Sequence, residues 1–491
     1  MKSNNTFADK MRDLASQTRT ENGAIAYWTT SNALVDLFGT IGALRNSDNE
    51  RLYRLIDGCY AEDKTLLAKM LFYARDIRGG LGERETFRTA IHYCALRYPN
   101  VIEKNLHLIP EYGRWDDYFA LIDTPLEGKM WEHVRKVYEL DLDAIKDGSS
   151  VSLLAKWLPS ADASSENTRK KGCYTAKMLG RSVYDYKREV KAMRRVIDTI
   201  EAHMSAQDWH TYDYSKIPSN AMLKYTKAFY RNDGERYSNY IKDVSSGKAK
   251  IHSATLFPSD IIKKLGNLMD KQNNDICQEL WNALPNYVEG ENNFVVMADV
   301  SGSMYGLPMQ TSVGLAIYFA ERNKGAFKDL FMTFSSTPSF VHIPPHFSLA
   351  DKCKLVYTAD WGGSTNIEAA FRKILDVAIQ SKTVPEDMPK SLIIITDMEF
   401  DMATRSQSPI FYELQEMFTE AGYEMPNVVF WNVNSRNETY HTKADEPNVQ
   451  LVSGHSTSTF KNLTEGLNST PYEMMVKTLT AERYAPITVE Q

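Results

Sequence analysis

NFVVMADVSGSM, residues 293–304, establishes the architecture of the second half of the chain. Residues 294–298 are all apolar, as in a strand that is buried on both faces of a parallel sheet. The strand ends at Asp299, and the chain then turns through Ser301 and Ser303. A carboxylate and two hydroxyls therefore follow the carboxyl end of a buried strand, which is where open α/β sheets bind their ligands.

Predicted strands and helices alternate through the rest of this half. Strands are expected at 328–335, 389–401, 427–433 and 448–454, with 338–343 as a hairpin partner of the first, and helices at 315–323, 367–380, 409–422, 457–467 and 472–483. Elements of this length that alternate along the chain predict a doubly wound, mostly parallel sheet. The loops that follow its strands then lie along one edge of the sheet.

Oxygen-bearing side chains occur in three of these loops. Asp299, Ser301 and Ser303 follow the first strand, Thr365 lies in the loop before a helix, and Asp397 ends the second deeply apolar strand. Because the loops share one edge, we expect these five residues to converge. Carboxylates and hydroxyls are hard oxygen ligands that suit Mg²⁺ or Mn²⁺. The set is incomplete for an octahedral ion, so water and a carboxylate from a partner would fill the remaining positions.

The three loops also resemble a known family. The motifs D-x-S-G-S, G-G-S-T-N and T-D, at 299–303, 362–366 and 396–397, occur in the order found in the von Willebrand factor A domain, over roughly residues 290–455. That fold carries a metal-ion-dependent adhesion site. The resemblance implies Ser301, Ser303 and Thr365 as direct or near-direct ligands, with Asp299 and Asp397 binding the ion directly or through water. Taken alone, the first motif also fits a helix N-cap.

A hydrolytic role for the same residues is a separate hypothesis. Asp299 could accept a phosphoryl group as a nucleophile, but enzymes of that kind usually carry a second carboxylate two residues later, where this chain has Ser301. Ser303 has no histidine nearby in sequence, and His342 and His346, which flank two prolines, fit a plain loop. We therefore expect no catalysis.

The composition is that of a soluble globular protein, and we expect a cytoplasmic location. The residues are 43% apolar and 24% charged. The length of 491 residues predicts two to four domains. We expect no membrane span, because no run of about 18 apolar residues occurs, and no secretory signal, because the start lacks an apolar core. The five cysteines are odd in number and scattered, as in a reduced, intracellular protein.

The first half shows helical periodicity and no convincing strand alternation. Apolar residues recur at three- and four-residue spacing in segments 32–44, 49–60, 63–78, 85–98 and 130–145, which short polar turns separate. Amphipathic helices joined in this way predict a HEAT-like helical repeat. We accordingly expect a helical domain over 1–285 and an α/β domain over 286–491.

Charge is divided unevenly between the halves. Residues 1–285 carry a net charge of +4, and the remainder carries −10. The cations are densest in 156–195, where tyrosines lie among them, and this combination is typical of single-stranded nucleic-acid binding. The candidate RNA-binding residues are Lys156, Arg169, Lys170, Lys171, Lys177, Arg181, Lys187, Arg188, Lys191, Arg194 and Arg195. A solvated basic helix face is the alternative interpretation.

Two further segments hold secondary candidates. In RDIRGGLGERETFR, residues 75–88, the glycine N–H groups could face a phosphate with Arg75, Arg78 and Arg84 around it. A helix C-cap and turn is the favoured interpretation of this segment. In 110–121, Arg114 could contact an anion, although its aromatic neighbours have the spacing of a helix core face.

The arrangement of the whole chain resembles the Ro autoantigen (TROVE) family and a related bacterial and phage family. The RGGLGER, EYGRWDD and 156–195 segments and the metal motif carry the resemblance. It implies a ring of helical repeats that the A domain closes, and binding of single-stranded RNA ends and small structured RNAs. We expect a monomeric, non-catalytic RNA-binding protein with Mg²⁺ or Mn²⁺ in its A domain. The alternative is a metal-dependent adaptor that captures an acidic residue of a protein partner, for example for an ATP-driven chaperone.

Overall fold

The structure is a computed structural model. It describes residues 6–45, 47–266, 270–288, 293–333, 336–359, 364–402, 409–457, 459–460 and 469–490. The predicted helix at 457–467 and the glycines of the 362–366 motif fall largely or wholly outside these residues. In the described part, no helix combines the length and apolarity needed to cross a bilayer.

The first half is helical, as predicted. Its helices are α1 Thr6–Ala15, α2 Ala33–Phe38, α3 Asn49–Glu62, α4 Lys64–Arg75, α5 Glu85–Arg97, α6 Pro99–Glu103, α7 Ile109–Tyr112, α8 Glu127–Lys146, α9 Leu154–Trp157, α10 Glu166–Met178, α11 Val183–Ile197, α12 Ile200–Ala206, α13 Ser219–Ser245, α14 Pro258–Leu265 and α15 Lys271–Asn282. Side chains cap several N-termini by accepting from backbone N–H groups, among them Asp63, Ser165 and Ser182. These caps satisfy donors that the helix itself leaves unpaired.

The absence of strands from the first half was a wrong prediction. Strands β1 Gln17–Arg19 and β2 Ile25–Tyr27 form an antiparallel hairpin. Each has only three residues, too few to show a period-two pattern. The hairpin is held from outside: the backbones of Tyr27 and Tyr440 exchange two hydrogen bonds, of 2.7 and 2.8 Å.

The second half contains a mixed sheet. Among the described residues its strands are β3 Phe294–Ala298, β4 Leu330–Thr333, β5 Phe340–His342, β6 Ser391–Thr396, β7 Asn427–Asn432 and β8 Val449–Ser453. Their order is β5-β4-β3-β6-β7-β8, and all neighbours are parallel except β4 and β5. The predicted hairpin partner of β4 is therefore confirmed. Strands β3 and β6 are buried throughout, as their unbroken apolar runs predicted.

Helices lie between these strands: α16 Leu307–Arg322, α17 Leu349–Thr358, α18 Ile367–Ser381 and α19 Ile410–Glu420, with α20 Pro471–Leu479 after the sheet. The chain moves from β3 through α16 to one side of the sheet, and from β6 through α19 to the other. Right-handed crossovers in opposite directions place these helices on opposite faces. The strand order reverses between β3 and β6, which makes their carboxyl ends the topological switch point.

Each terminal segment of the chain packs against the other half. A Cβ on Gly42 would lie 2.7 Å from Gly454, at the end of β8, so the segment after α2 packs directly on the sheet. At the other end, Asn105 donates to the carbonyl of Thr488 at 2.8 Å, and α20 packs against α4. The division at 285/286 stays a prediction, but the packing does not follow it at either terminus.

Candidate functional site

Two buried carboxylates lie at the switch point. Asp299 Oδ1 accepts from the backbone N–H of Ser301 at 2.8 Å, and Oδ2 accepts from Thr396 Oγ1 at 2.8 Å. Neither of these two hydrogen-bond partners of Asp299 is a cation, and the residue is fully buried. Burial, and then the nearby charge of Asp397, raise the pKa of Asp299 to about 6.

The two serines of the loop after β3 are adjacent. The hydroxyl oxygens of Ser301 and Ser303 lie 3.0 Å apart. Ser301 is buried and Ser303 is exposed, so the pair leads from the strand ends to solvent. Tyr305, two residues later, is 89% exposed.

Thr365 is engaged elsewhere along the same edge. Its hydroxyl lies 2.8 Å from the carbonyl oxygen of Glu399 and 3.0 Å from Asp401 Oδ1, and it accepts from Asn22 Nδ2 at 2.9 Å. Among the described residues, its hydrogen bonds connect it to the loop after β6 and to the N-terminal hairpin, and they do not include Ser301 or Ser303.

A cation that sequence reasoning missed lies beside Asp397. Arg436, in the loop after β7, donates from Nη2 to Asp397 Oδ2 at 3.1 Å and forms an ion pair with Glu21 at 2.8 Å. The one signal that could have identified it is its place after the strand next to β6. The charges of Asp397 and Glu21 raise the pKa of Arg436 against the lowering effect of its partial burial.

The residues present fit a divalent cation in part. Two buried carboxylates at neighbouring strand ends and two adjacent hydroxyls form a hard oxygen set. A divalent ion held by Asp299, Ser301, Ser303 and Asp397 would supply charge that attracts carboxylates. The described residues contain no group of three or more His, Cys, Asp or Glu side chains arranged for metal binding, so the hydroxyls are an essential part of this set.

The second candidate site is a groove along α11. Lys187, Arg188, Lys191 and Arg195 recur at helical spacing and line an open groove of about 1020 Å³ with Tyr184. Tyr184 is 73% exposed, and the Arg188 guanidinium lies 5.8 Å from its ring centre. Ala202 and His203 of α12 and the acidic residues Asp162, Asp198 and Asp208 also line the groove.

Some cations of the groove form ion pairs within the protein and others do not. Lys187 pairs with Asp162 at 3.1 Å, and Arg188 pairs with Asp185 at 2.9 Å. Lys191 and Arg195 are exposed and have no ion pair with a described residue. These two side chains are therefore the most available for an anionic ligand.

Arg194 and Arg181 make internal contacts, although Arg194 also lines the groove. Arg194 donates to the carbonyls of Ala155 and Leu158 and to Ser160 Oγ at 2.7–2.9 Å. Arg181 pairs with Glu139 at 2.7 Å and with Glu189 at 3.0 Å. The guanidinium groups of both residues hold neighbouring helices and loops together.

The remaining cations of 156–195 lie away from the groove lining. Lys156 lies 5.7 Å from the centre of its neighbour Trp157, and Arg169 donates to the carbonyl of Ala163 at 3.2 Å. Lys170 pairs with Glu166 at 2.8 Å. Lys171 and Lys177 are exposed on α10. These residues widen the basic surface without sharing the groove.

The glycine segment forms a structural turn, as the sequence pattern favoured. Gly79 N–H donates to Asp76 Oδ2 at 3.2 Å, and Gly80 and Gly82 N–H donate to the Asp76 carbonyl at 3.1 and 3.0 Å. These donors are occupied within the protein, so they do not form a phosphate-binding loop. A Cβ on Gly80 would lie 2.0 Å from the carbonyl oxygen of Tyr73, which explains why glycine stands there.

The four secondary arginines lie in different environments. Arg75 is buried and pairs with Asp117 at 2.7 Å, so its prediction as an anion contact is corrected to a core ion pair. Arg114 lies 4.1 Å from the Trp157 ring centre and pairs with Asp116 at 3.0 Å. Arg78 is exposed, and Arg84 is exposed and paired with Glu85.

Comparison with known families identifies the first half. A family described as a domain of unknown function, DUF2828, matches residues 20–147 and 136–290, which together are more than half of the chain. The chain belongs to the DUF2828 family. A second domain of unknown function, DUF7788, matches residues 293–484 of this DUF2828 chain.

Two individual proteins are similar to the DUF2828 chain over most of its length. An uncharacterized protein of Acanthamoeba polyphaga mimivirus is 29% identical over 513 residues, across 95% of this chain and 88% of the relative. The crystal structure of the Ro (RSR) protein of Deinococcus radiodurans is similar with a TM-score of 0.40 and 12% identity, across 92% of this chain and 100% of that one.

Proposed function

We propose that this chain is a non-catalytic RNA-binding protein that holds single-stranded RNA along α11. One observation carries the proposal: five cations of α11, four of them exposed, line the same open groove as an exposed tyrosine. Cations neutralise phosphates and release their counter-ions, and an aromatic face stacks on an unpaired base. A ligand that is both polyanionic and aromatic fits this pairing better than a simple anion does.

The length of the groove also favours a single strand of RNA over a compact anion. The lining cations extend from Lys187 to Arg195, eight residues or about 12 Å of helix at the usual rise per residue. That length suits several successive phosphates.

We further propose that the second half is a von Willebrand factor A-like domain that binds Mg²⁺ or Mn²⁺ and closes or regulates the helical half. Counted from β3, its strand order is 3-2-1-4-5-6. The candidate ligands Asp299 and Asp397 follow the two strands at which this order reverses. The hairpin and α2 bring the first half onto the same sheet.

Salt-dependent RNA binding tests the groove. Fluorescence anisotropy with a labelled single-stranded RNA would compare the wild type with Lys191→Ala/Arg195→Ala, and with Lys354→Ala/Lys373→Ala as a control of equal charge on exposed residues of the second half. We expect affinity to fall steeply between about 50 and 200 mM salt, and the groove variant to lose about 0.7 of the log–log slope per phosphate contact.

The groove variant should bind at least about tenfold more weakly than the wild type, and the control should bind normally. Absence of RNA binding by the wild type at low salt would overturn the proposal. Equal losses in the groove and control variants would also overturn it, because net charge rather than the groove would then determine affinity.

A protein adaptor role is the second candidate. It is favoured by the exposure of Ser303 and Tyr305 beside the buried carboxylates, since a partner could reach a metal ion there. Mg²⁺-dependent binding of an acidic peptide, lost in Ser301→Ala, would support this role. Peptide binding that persists in excess chelator would contradict it.

A further inference from the structure

The tip of the β1–β2 hairpin lies against the candidate cation site. Thr20 Oγ1 donates to the carbonyl of Phe400 at 2.6 Å, and the Glu21 N–H donates to Glu399 Oε2 at 2.7 Å. Asn22 Nδ2 reaches Thr365 Oγ1 at 2.9 Å. The hairpin tip therefore contacts the loop after β6 and one of the predicted metal ligands at the same time.

Glu21 and Arg436 extend this contact to Asp397. Arg436 Nη1 lies 2.8 Å from Glu21 Oε2, while its Nη2 lies 3.1 Å from Asp397 Oδ2. Asn437 Nδ2 donates to the other oxygen of Glu21 at 2.9 Å. One guanidinium thus joins a carboxylate of the hairpin to a carboxylate of the switch point.

We propose that Arg436 is an internal counter-cation that competes with a divalent metal ion at the switch point, and that Glu21 of the hairpin holds it there. The proposal rests on the metal-binding part of the proposed function. It makes the N-terminal hairpin the chain's own occupant of the edge where an external acidic partner would otherwise bind.

The burial of the three groups supports an exchange. The Asp397 side chain is 0% exposed, whereas those of Arg436 and Glu21 are 33% and 48% exposed. The buried carboxylate must be compensated by some cation, because an isolated charge in the interior is strongly disfavoured. Arg436 can leave toward solvent without moving a strand, so an incoming ion can replace it.

The charges define the direction of the coupling. A divalent ion beside Asp299 and Asp397 would repel the Arg436 guanidinium and attract the Glu21 carboxylate. Glu21 would then lose its ion pair with Arg436. Linkage is reciprocal, so the factor by which a bound metal ion weakens the Arg436–Asp397 contact is also the factor by which that contact weakens metal binding. The hairpin therefore sets the metal affinity of the sheet edge.

Calorimetric titration of Mg²⁺ into the full chain tests this. The variants are Arg436→Gln, which removes the charge, and Glu21→Gln, which removes its anchor. Arg372→Gln is the control, an exposed arginine of the same half that pairs with Glu368 at 2.7 Å. We expect Arg436→Gln to bind Mg²⁺ about tenfold more tightly than the wild type, Glu21→Gln to show a smaller gain, and the control to show none.

A second variant keeps the test informative if loss of the guanidinium unfolds the loop. Arg436→Lys retains the charge but cannot join both carboxylates in one fork, so it should bind Mg²⁺ with an intermediate affinity while circular dichroism reports a folded chain. Arg436→Gln affinity equal to or below that of the wild type would overturn the competition alone. Absence of Mg²⁺ binding in every variant would overturn the metal site as well, and neither result affects the RNA measurement.

Discussion

Arg194 and Arg195 are consecutive residues of α11 and both line the groove, yet the guanidinium of Arg194 is held by three hydrogen bonds to residues 155–160, whereas Arg195 is exposed and has no ion pair with a described residue. Adjacent positions on a helix are rotated by about 100°, since one turn takes 3.6 residues. The same side-chain chemistry therefore binds the segment 155–160 at one position and leaves an exposed cation in the groove at the next.

Substitution of this pair should separate stability from binding. Arg194→Ala leaves the carbonyls of Ala155 and Leu158 without their donor, and we expect it to lower the free energy of unfolding by about 2–3 kcal/mol. Arg195→Ala should change stability by less than about 0.5 kcal/mol while weakening RNA binding. Urea denaturation and anisotropy measure the two effects. Equal destabilisation by both variants would contradict this assignment.

The C-terminal segment should be anchored by Arg483. Its Nη2 donates to Asp76 Oδ1 at 2.7 Å, and the Asp76 side chain is 0% exposed. Arg483→Ala leaves a buried carboxylate without its cation, so we expect a loss of about 3 kcal/mol in thermal or urea unfolding. Lys104→Ala is the control, because its pair with Glu490 links the C-terminal segment to the residue after α6 at the surface and should contribute less than about 1 kcal/mol.

Asp36 should make stability depend on pH. Burial raises its pKa to about 6, against the lowering effect of hydrogen bonds from Thr29 and Thr30. The folded state thus binds this proton more tightly than the unfolded state, so the stabilisation is complete below the ordinary aspartate pKa and is lost as pH rises through about 6.

Asp36→Asn removes this proton from the equilibrium. Relative to this variant, the wild type should gain up to about 3 kcal/mol as pH falls from about 7 to about 4, since one pKa unit corresponds to about 1.4 kcal/mol. Urea denaturation of both proteins across this range is the measurement. A difference between them that does not change with pH would show that the proton is not bound preferentially in the folded state.

Gly42 should be required for the contact between the N-terminal segment and the sheet. An added Cβ would lie 2.7 Å from both the backbone N and the Cα of Gly454. We expect Gly42→Ala to destabilise the chain by about 1–3 kcal/mol, the usual cost of overpacking. Gly128→Ala, in α8 with open space around its Cα, should instead stabilise by up to about 1 kcal/mol, and thermal unfolding compares the two.

The candidate sites differ in how far sequence patterns could predict them. The strand-end carboxylates Asp299 and Asp397 were predictable, because an unbroken apolar run identifies a buried parallel strand and its end marks the ligand edge. The stretch 156–195 was identified by charge density. Charge density could not show that the Arg194 guanidinium is bonded to residues 155–160 or that Lys191 and Arg195 share a groove with it, because both depend on how α11 packs against α9 and α12.

Local patterns were sufficient for the helices of the first half, the strand–helix alternation of the second and the acidic ends of β3 and β6, since periodicity and turn chemistry act over neighbouring residues. Long-range packing alone brought Asn22 to Thr365, Glu21 through Arg436 to Asp397, and Arg483 to Asp76. These partners are separated by hundreds of residues or lie in short, irregular segments without periodicity. Their meeting depends on burial and charge compensation in the folded chain, which no local pattern records.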